Sequence, residues 1–251
     1  MTHPDISAIV TFHREGRLAH VSINSIARTC DAIEETGVTV ETVMVLDRAD
    51  DLTRSFVLNH PAKKRQDRIL EVNCGDLSTS RNEAIARSVG ACIAIFDGDD
   101  LYSRNWLLQA FACRQRDGGR HIYHPEVIVS FDAIQRYNFE VDQRSDQFDV
   151  KNLLMTNYWC SCAFSDRQTF LDHPYVPKDG VDCGFGFEDW HWNCETVAAG
   201  IEHRVVPETA IFYRRKRSGS LGAADHQAFR IIRPTRLFSL YGDPPARLID
   251  D

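Results

Sequence analysis

The stretch ACIAIFDGDD, residues 91–100, decides the fold. Its first six residues are apolar or small, which predicts a short strand buried on both faces. Three carboxylates then follow within four residues, at Asp97, Asp99 and Asp100, and they repel one another. A divalent cation such as Mg²⁺ or Mn²⁺ would relieve that repulsion, because hard cations take oxygen ligands and bridge to substrate phosphates. An acidic turn that caps the next helix is the alternative interpretation.

Apolar patterns of two periodicities alternate upstream of this stretch. They predict strands at residues 6–12, 38–46 and 68–72 and helices at residues 18–33 and 49–59. The capping-box pattern SRNE at residues 80–83 predicts a third helix, which ends at Gly90. The resulting order, β-α-β-α-β-α-β, predicts an α/β fold whose sheet is Rossmann-like and mostly parallel, with helices on both faces.

Three charged clusters directly follow strands of this predicted sheet, at residues 11–15, 47–51 and 97–100. Ligands of open α/β sheets bind beyond the carboxyl ends of the strands. This topology places the three clusters at the same edge of the sheet, its rim. Each cluster could also be an ordinary helix cap. Because all three are rich in charge, we expect a ligand site at the rim.

The second half of the chain is less regular. Its patterns predict a helix at residues 102–116, a strand at 121–131, a polar surface excursion at 134–150, a Pro/Gly-rich loop at 174–186, a helix at 188–200 and a strand at 205–213. Residues 218–251 are weakly patterned. We therefore predict one domain over residues 1–220, built from two joined halves at 1–100 and 101–220. A C-terminal tail at 221–251 is expected to pack on or beside it.

Two further charged clusters in the second half contain candidate catalytic and binding residues. Glu188 and Asp189 open a predicted helix, whose N-terminus stabilises carboxylates as anions, and a general base must be ionised. Ordinary charge placement in a first helical turn explains them equally well. The run YRRKR, residues 213–217, could neutralise a departing diphosphate, although a solvated basic turn is the simpler interpretation.

Taken together, these motifs resemble glycosyltransferase family 2, the inverting enzymes with a GT-A fold, from about residue 6 to residue 220. The turn at residues 10–15 resembles the family's nucleobase-holding turn, with His13 where a Tyr is usual. Asp47 stands where acidic residues read the base, and residues 80–82 resemble an Ala-Arg-Asn segment. The pair Glu188-Asp189 precedes Trp190 and a helix, as in the family. Residues 1–100 would then be the nucleotide-binding half and residues 101–220 the acceptor and catalytic half.

The resemblance implies a role for each candidate residue. Asp189 would be the base on the acceptor hydroxyl, with Glu188 orienting it. Asp99 would hold Mn²⁺ or Mg²⁺ as cofactor, assisted by Asp97 and Asp100. The nucleotide would be bound by Thr11, His13, Glu15, Asp47, Arg81 and Asp97. The diphosphate and donor sugar would be bound by Arg214, Lys216 and Trp159.

One residue departs from the family pattern. Many members follow the Tyr-Arg pair with a His that completes the metal site, whereas Lys216 comes after Tyr213, Arg214 and Arg215 here. Because Lys216 stands in place of this His, a metal site with three protein ligands is less strongly indicated. Binding of the diphosphate by cationic side chains is favoured instead. The predicted reaction is a single displacement that transfers a sugar from a nucleotide diphosphate, with UDP favoured because it is frequent in the family.

Composition limits the partners and the location. The net charge of −7 argues against nucleic acid as a partner, because a phosphate-tracking protein needs a basic stripe. Neither a signal peptide nor an 18-residue apolar run is evident, so we expect no transmembrane segment and a cytoplasmic protein, with peripheral membrane attachment as an option. The eight cysteines are then expected to be reduced, with zinc at Cys160 and Cys162 as the weaker alternative. The acceptor could be a glycan, a lipid-linked or a small molecule.

Three other functions remain open at this point. A sugar nucleotidyltransferase should carry a Gly-rich phosphate loop near the first strand, and residues 11–16 contain a single Gly. A non-catalytic nucleotide-sugar-binding module could dispense with the Glu188-Asp189 pair, which this chain retains. A glycosidase needs two carboxylates that flank one bond, and the sequence does not show how far Asp189 lies from a second acid.

Overall fold

In the computed structural model, the strand that decides the fold lies in the middle of one twisted sheet. The structure describes residues 3–64, 67–178, 183–217 and 219–241. Within these ranges the strands are β1 Ile6–Phe12, β2 Val40–Asp47, β3 Arg68–Val72, β4 Cys92–Asp97, β5 Leu101–Tyr102, β6 His121–Asp132, β7 Arg136–Phe139, β8 Phe164–Asp166 and β9 Glu202–Arg215. The helices are α1 Arg17–Glu34, α2 Asp51–Leu58, α3 Leu77–Arg87, α4 Trp106–Asp117, α5 Val150–Leu153, α6 Arg167–Asp172, α7 Glu188–Ala198, α8 Leu221–Gln227 and α9 Arg236–Tyr241.

The strand order is β3-β2-β1-β4-β8-β6-β9-β5, with β7 paired to β6. Strands β1 to β4 are mutually parallel, and β6 is parallel to β9. The short β8 lies antiparallel between β4 and β6. Because β8 is antiparallel to both β4 and β6, these two strands run in the same direction. Strands β1 to β4, β6 and β9 therefore all end at the same edge of the sheet. This edge is called the rim below, and it includes Asp97, Asp132 and Arg215.

Both faces of the sheet are buried, which is why β1 and β2 are fully buried along their length. One face packs on α1 and α4, through Ile23 and Trp106. The opposite face packs on α3, α6 and α7, through Ile85, Phe170 and Trp192. The α/β architecture with helices on both faces, predicted from the sequence, is confirmed.

The structure corrects several of the predicted element boundaries. Helix α3 begins at Leu77, before the capping-box pattern, because the Asp76 side chain accepts a hydrogen bond from the Thr79 amide at 2.8 Å. Ser80 is therefore inside the helix. Helix α4 begins at Trp106 rather than at residue 102, since Leu101–Tyr102 pairs with β9. The excursion at residues 134–150 contains β7, and residues 179–182 of the Pro/Gly-rich loop lie outside the described residues.

The weakly patterned tail contains two short helices, α8 and α9. Ile232 and Leu237 are buried in a cluster with Cys194 and Val197 of α7. The part of the tail at residues 219–241 thus packs on the helix that begins with Glu188. Residues 242–251, which the tail prediction also covered, lie outside the described residues.

All eight cysteines are free of disulfide bonds in this structure. Within the described ranges, no group of three His, Cys, Asp or Glu side chains could hold a metal ion, so zinc at Cys160 and Cys162 gains no support. No helix among those residues is long and apolar enough to cross a membrane.

Two histidines are buried in the core beneath the rim. The Nδ1–H of His124 donates to the Cys162 carbonyl at 3.0 Å, and its Nε2 lies 2.9 Å from Nδ1 of His203. Nε2 of His203 lies 2.9 Å from the Thr196 hydroxyl, which donates to the Trp192 carbonyl at 2.8 Å. Burial lowers the pKa of His124 to about 3 and that of His203 well below its ordinary value, so both rings are neutral at pH 7.

This histidine pair predicts acid sensitivity of the fold. Because the folded-state pKa values are depressed, the unfolded chain takes up protons first as the pH falls below about 6.5, and stability is lost in that direction. Each buried histidine contributes about 1.4 kcal/mol per pH unit in this range. Urea unfolding of His203→Gln between pH 7.5 and pH 5 should show a shallower loss than the unsubstituted chain. An identical slope for the two proteins would contradict the neutral pair.

Candidate active site

Arg81 lies at the centre of the site, in the second turn of α3, and its side chain is 1% exposed. One terminal nitrogen, Nη2, is 2.7 Å from Asp97 Oδ1, and the other, Nη1, is 3.1 Å from Glu188 Oε1. Its guanidinium lies over the Tyr175 ring at 5.3 Å. Burial opposes its charge, but the two carboxylates outweigh that effect and raise the pKa of Arg81 above its usual range. The arginine therefore joins the end of β4 to the start of α7.

The neighbouring residues fix the Asp97 carboxylate from its other side. Its Oδ2 accepts from the Ser161 hydroxyl at 2.5 Å, and its backbone amide donates to the Tyr102 hydroxyl at 2.8 Å. In the register of β1 and β4, Thr11 lies directly beside Asp97. The chain can turn closely here because residue 98 is glycine: a Cβ would come within 2.4 Å of the Phe12 ring.

The other two aspartates of the acidic run have different partners. Asp99 Oδ2 is 2.5 Å from Lys216 Nζ, and both side chains are about one-fifth exposed. Asp100 is buried, and its Oδ1 accepts from the Arg214 amide at 2.7 Å. Burial and the charge of Asp99 raise the pKa of Asp100 well above its ordinary value. Burial also raises the pKa of Glu15, whose carboxyl experiences the charges of Asp99 and Lys216.

Arg214 connects the ends of three strands. Its Nε donates to the Asp99 carbonyl at 3.0 Å, and its Nη1 lies 3.5 Å from Asp132 Oδ2 at the end of β6. Its guanidinium also lies 4.5 Å from the centre of the Phe131 ring. The structure thus brings Arg214 and Lys216 to the acidic run, as the sequence reasoning expected for the diphosphate end.

At the opposite end of the rim, Asp47 closes the loop between β3 and α3. Its carboxylate accepts from the amides of Cys74 and Gly75 and from the Ser80 hydroxyl at 2.8 to 3.0 Å. The exposed His13 donates from Nδ1 to the Asp47 carbonyl at 2.7 Å. The predicted nucleobase residues are therefore adjacent, although Asp47 itself is 7% exposed and largely satisfied.

Asp189 occupies the first turn of α7 beside Glu188. Burial, followed by the charge of Glu188, raises the pKa of Asp189 to about 7. Its Oδ1 accepts from the Trp190 amide at 2.8 Å, and its Oδ2 lies 3.4 Å from Nδ2 of Asn157. The Asn157 amide is oriented in turn by Asn193, which donates to its Oδ1 at 2.9 Å. A base whose pKa is near neutrality can both take and hold a proton at working pH.

Trp159 does not belong to this site. It is 2% exposed, and its ring is stacked against His203 at 4.1 Å and Phe148 at 5.9 Å. Its indole nitrogen donates to the Val141 carbonyl at 2.8 Å. Since the side chain is almost completely buried, the structure places Trp159 in the core rather than against a donor sugar.

Four residues of the site were not assigned individually from the sequence. They hold or flank its carboxylates: Ser161, Asn157, Tyr175 and Glu140. Burial raises the pKa of Glu140 to about 8, so this second buried acid is largely protonated at neutral pH. None of the four stands in a local motif, because each reaches the site from an irregular segment.

The chain resembles known proteins in sequence and in fold. A family model described as "Glycosyl transferase family 2" matches residues 7–172, about two-thirds of the chain. The chain belongs to glycosyltransferase family 2. The resemblance found in the sequence is confirmed. The matched range ends before Glu188 and Asp189, so the family model does not test those two positions.

The fold of this chain is similar to that of several solved structures. The chain is similar to S. aureus TarS 1-349 in complex with UDP-GlcNAc, with a TM-score of 0.68 and 16% identity, covering 88% of this chain and 61% of that one. It is also similar to the mannosyltransferase PcManGT from Pyrobaculum calidifontis in complex with GDP-Man and Mn²⁺, with a TM-score of 0.58 and 15% identity, covering 89% and 60%. The chain thus has the GT-A fold and spans about three-fifths of these two proteins. Among the curated proteins, none matches it significantly.

We expect substitution of Arg81 to lower the free energy of unfolding strongly. Arg81→Gln leaves the Asp97 and Glu188 carboxylates, 21% and 10% exposed, without their cation, and breaking a buried ion pair costs up to about 3–5 kcal/mol. The matched control is Arg87→Gln at the end of the same helix, whose exposed pair with Glu83 contributes at most about 1 kcal/mol. Urea unfolding at pH 7 measures both, and equal losses in the two variants would contradict the bridge.

Proposed function

We propose that this protein is an inverting glycosyltransferase that moves a sugar from a nucleotide diphosphate to an acceptor hydroxyl. The observation that carries the proposal is the Arg81 bridge, because it joins Asp97 at the end of β4 to the Glu188-Asp189 pair. A donor held at the end of β4 would then have a base beside its anomeric carbon. The neighbours that bind UDP-GlcNAc and GDP-Man support a nucleotide-sugar donor.

The proposed reaction is a single displacement. The Asp189 carboxylate takes the proton of the acceptor hydroxyl, and the acceptor oxygen forms a bond to the anomeric carbon. The bond from that carbon to the diphosphate oxygen breaks, and the nucleoside diphosphate leaves with the electron pair. Attack from the face opposite the leaving group inverts the anomeric configuration. Burial, together with the neighbouring charge of Glu188, which Arg81 holds, raises the pKa of Asp189 to about 7, where the carboxylate can accept the proton.

The diphosphate is assigned to the end of the rim where Lys216 and Arg214 meet the acidic run. Positioned cations stabilise the charge that develops on a leaving diphosphate. Thr11, His13, Glu15, Asp47 and Asp97 line the remaining rim and are proposed to bind the nucleoside. Arg81 is proposed to act on the nucleotide through Asp97, since both of its terminal nitrogens are engaged by protein carboxylates.

A divalent cation, Mn²⁺ or Mg²⁺, is part of the proposal, and Asp99 is the residue that fits it. Such ions are bound by one or two carboxylates together with substrate phosphates, and the Asp99 carboxylate is partly exposed at the rim. Asp97 fits less well because each of its oxygens already accepts a hydrogen bond, and Asp100 is 2% exposed. When bound, the ion would neutralise charge on the diphosphate.

Two alternative functions make different predictions for nucleotide sugars. A sugar nucleotidyltransferase would release pyrophosphate from a nucleoside triphosphate and a sugar phosphate. A binding module would bind the donor without turnover. Incubation with UDP-, GDP-, CMP- and dTDP-sugars, and separately with a nucleoside triphosphate and a sugar phosphate, each with and without Mn²⁺, distinguishes them by the products. A glycan, a lipid-linked sugar and a small alcohol are the acceptor classes to supply, and a cytoplasmic or membrane-peripheral location stays a prediction.

The assignment of the base predicts a loss of turnover without loss of binding. Asp189→Asn removes proton acceptance while keeping the side-chain shape, so kcat should fall by about 10²–10⁴-fold. Affinity for UDP or GDP, measured by calorimetry, should be unchanged. In the unsubstituted enzyme the carboxylate is the active form, so kcat should rise with pH and reach half its plateau near pH 7. A variant with the wild-type rate would remove Asp189 from the mechanism.

The ion pair between Lys216 and Asp99 predicts that the lysine lowers the affinity of the site for a divalent cation. Its ammonium and a divalent ion compete for the same Asp99 oxygen, so in the absence of nucleotide Lys216→Ala should bind Mn²⁺ at least about tenfold more tightly. Electron paramagnetic resonance of free Mn²⁺ measures this affinity. Lys63→Ala is the charge-matched control, because Lys63 donates to the Leu58 carbonyl at the end of α2, away from the rim. Equal Mn²⁺ affinity in both variants would refute the competition.

A further inference from the structure

The tail contains a carboxylate that is almost completely buried. Asp225 of α8 is 1% exposed, and Lys178 Nζ lies 3.1 Å from its Oδ1 while Arg230 Nη1 lies 2.6 Å from the same atom. A buried carboxylate is costly unless cations and hydrogen bonds satisfy it. Here two cations from different segments do so, one from the loop before residue 179 and one from the tail. The position of the Asp225 carboxylate is therefore firmly fixed.

The same carboxylate holds the backbone immediately before the proposed base. Its Oδ2 accepts from the Phe187 amide at 3.3 Å. Phe187 has φ 56° and ψ 56°, a left-handed conformation that costs a residue with a side chain of order 1–3 kcal/mol. Such a conformation persists only where the surroundings impose it. Asp225 is one of the groups that impose it, and Glu188 and Asp189 follow directly.

Gly186 shows how closely this carboxylate approaches the turn. A Cβ at residue 186 would lie 2.6 Å from Asp225 Oδ2. Gly186 does not have a positive φ, so its small size serves the close approach rather than an unusual backbone angle.

The backbone of the tail adds a second connection to the same turn. The Gly186 amide donates to the Ile231 carbonyl at 2.9 Å, and the Ile231 amide donates to the Gly184 carbonyl at 3.1 Å. The His226 ring also packs on the Phe187 ring, with centroids 4.9 Å apart. The tail thus contacts the turn through backbone, ring and carboxylate.

We infer that Asp225 is a positioning residue for catalysis: through the Phe187 amide, it sets where Glu188 and Asp189 stand at the rim. The inference rests on the proposed function, in which Asp189 is the base. It assigns a catalytic task to the tail, which lies outside the family match at residues 7–172. Asp225 itself touches neither substrate nor reacting atoms.

A small shift of this turn would be costly for the reaction. The base must lie within hydrogen-bond reach of the acceptor hydroxyl, and a misplacement of about 1 Å can reduce the rate about 100-fold. The nucleotide end of the rim is built by β1, β2 and β4, whose positions are set by the sheet rather than by the turn. Loss of Asp225 should therefore lower kcat and leave the KM for the donor nearly unchanged.

The test compares Asp225→Asn with Glu195→Gln. Glu195 is the matched control, because it anchors the same tail to the same helix by accepting from the Arg236 amide and Nε, both at 2.7 Å, away from the turn. We expect Asp225→Asn to lower kcat about 10- to 100-fold with the donor KM changed less than about threefold. Glu195→Gln should keep both constants. Hydrogen exchange at residues 184–190 should become faster in Asp225→Asn alone, a readout that needs no activity.

A second variant covers the case in which Asp225→Asn does not fold. Gly186→Ala keeps every charge but drives the Asp225 carboxylate from the Phe187 amide, so it should reproduce the loss of kcat. In an Asp225→Ala background the new methyl group meets no carboxylate, and Gly186→Ala should have little additional effect.

The outcomes separate the inference from the proposed function. Wild-type kcat and wild-type exchange in folded Asp225→Asn or Gly186→Ala would overturn the inference while leaving Asp189 in place. Equal losses of kcat in Asp225→Asn and Glu195→Gln would also overturn it, since the tail would then matter only for stability. Absence of sugar transfer by the unsubstituted enzyme would instead overturn the proposed function, and the catalytic task of Asp225 with it.

Discussion

The buried ion triad of Arg81, Asp97 and Glu188 is the interaction on which the rest of this site depends. A guanidinium has two terminal nitrogens in a fixed plane, so one arginine can fix two carboxylates at a set separation. Here the two acids come from residues 97 and 188, far apart in the chain, and from the two halves of the fold. A lysine could supply the charge but not this planar geometry.

The sheet explains why the triad can form. The antiparallel β8 between β4 and β6 lets the second half of the sheet run in the same direction as the first, so both halves end at one rim. Helix α3 then brings Arg81 up beneath that rim, and α7 starts beside it with two carboxylates. Arg214 at the end of β9 and Lys216 just beyond it contact Asp99 and complete the charge pattern of the rim. Strand direction, together with α3 and α7, thus places the residues proposed for the donor and for the acceptor next to each other.

Much of this arrangement was predictable from the sequence, because it follows from local periodicity. Strands β1 and β3 and the start of α7 were placed correctly, and the acidic run was expected at a strand end. The ion pairs of Arg81, the burial of Trp159 and the position of Ser80 inside α3 depend on packing that no local pattern encodes. The tail carried no periodicity, yet its Asp225 reaches the turn before α7, because long-range hydrogen bonds leave no trace in residue spacing.

The most direct test of this account is a crystal structure of the protein with a bound nucleoside diphosphate. The account predicts that the diphosphate lies at the end of β4 within reach of Lys216, that Arg81 keeps its contacts to Asp97 and Glu188, and that Asp189 faces the position of the donor's anomeric carbon. A structure in which Arg81 leaves the triad to bind the phosphates, or in which the nucleotide binds away from the rim, would contradict it.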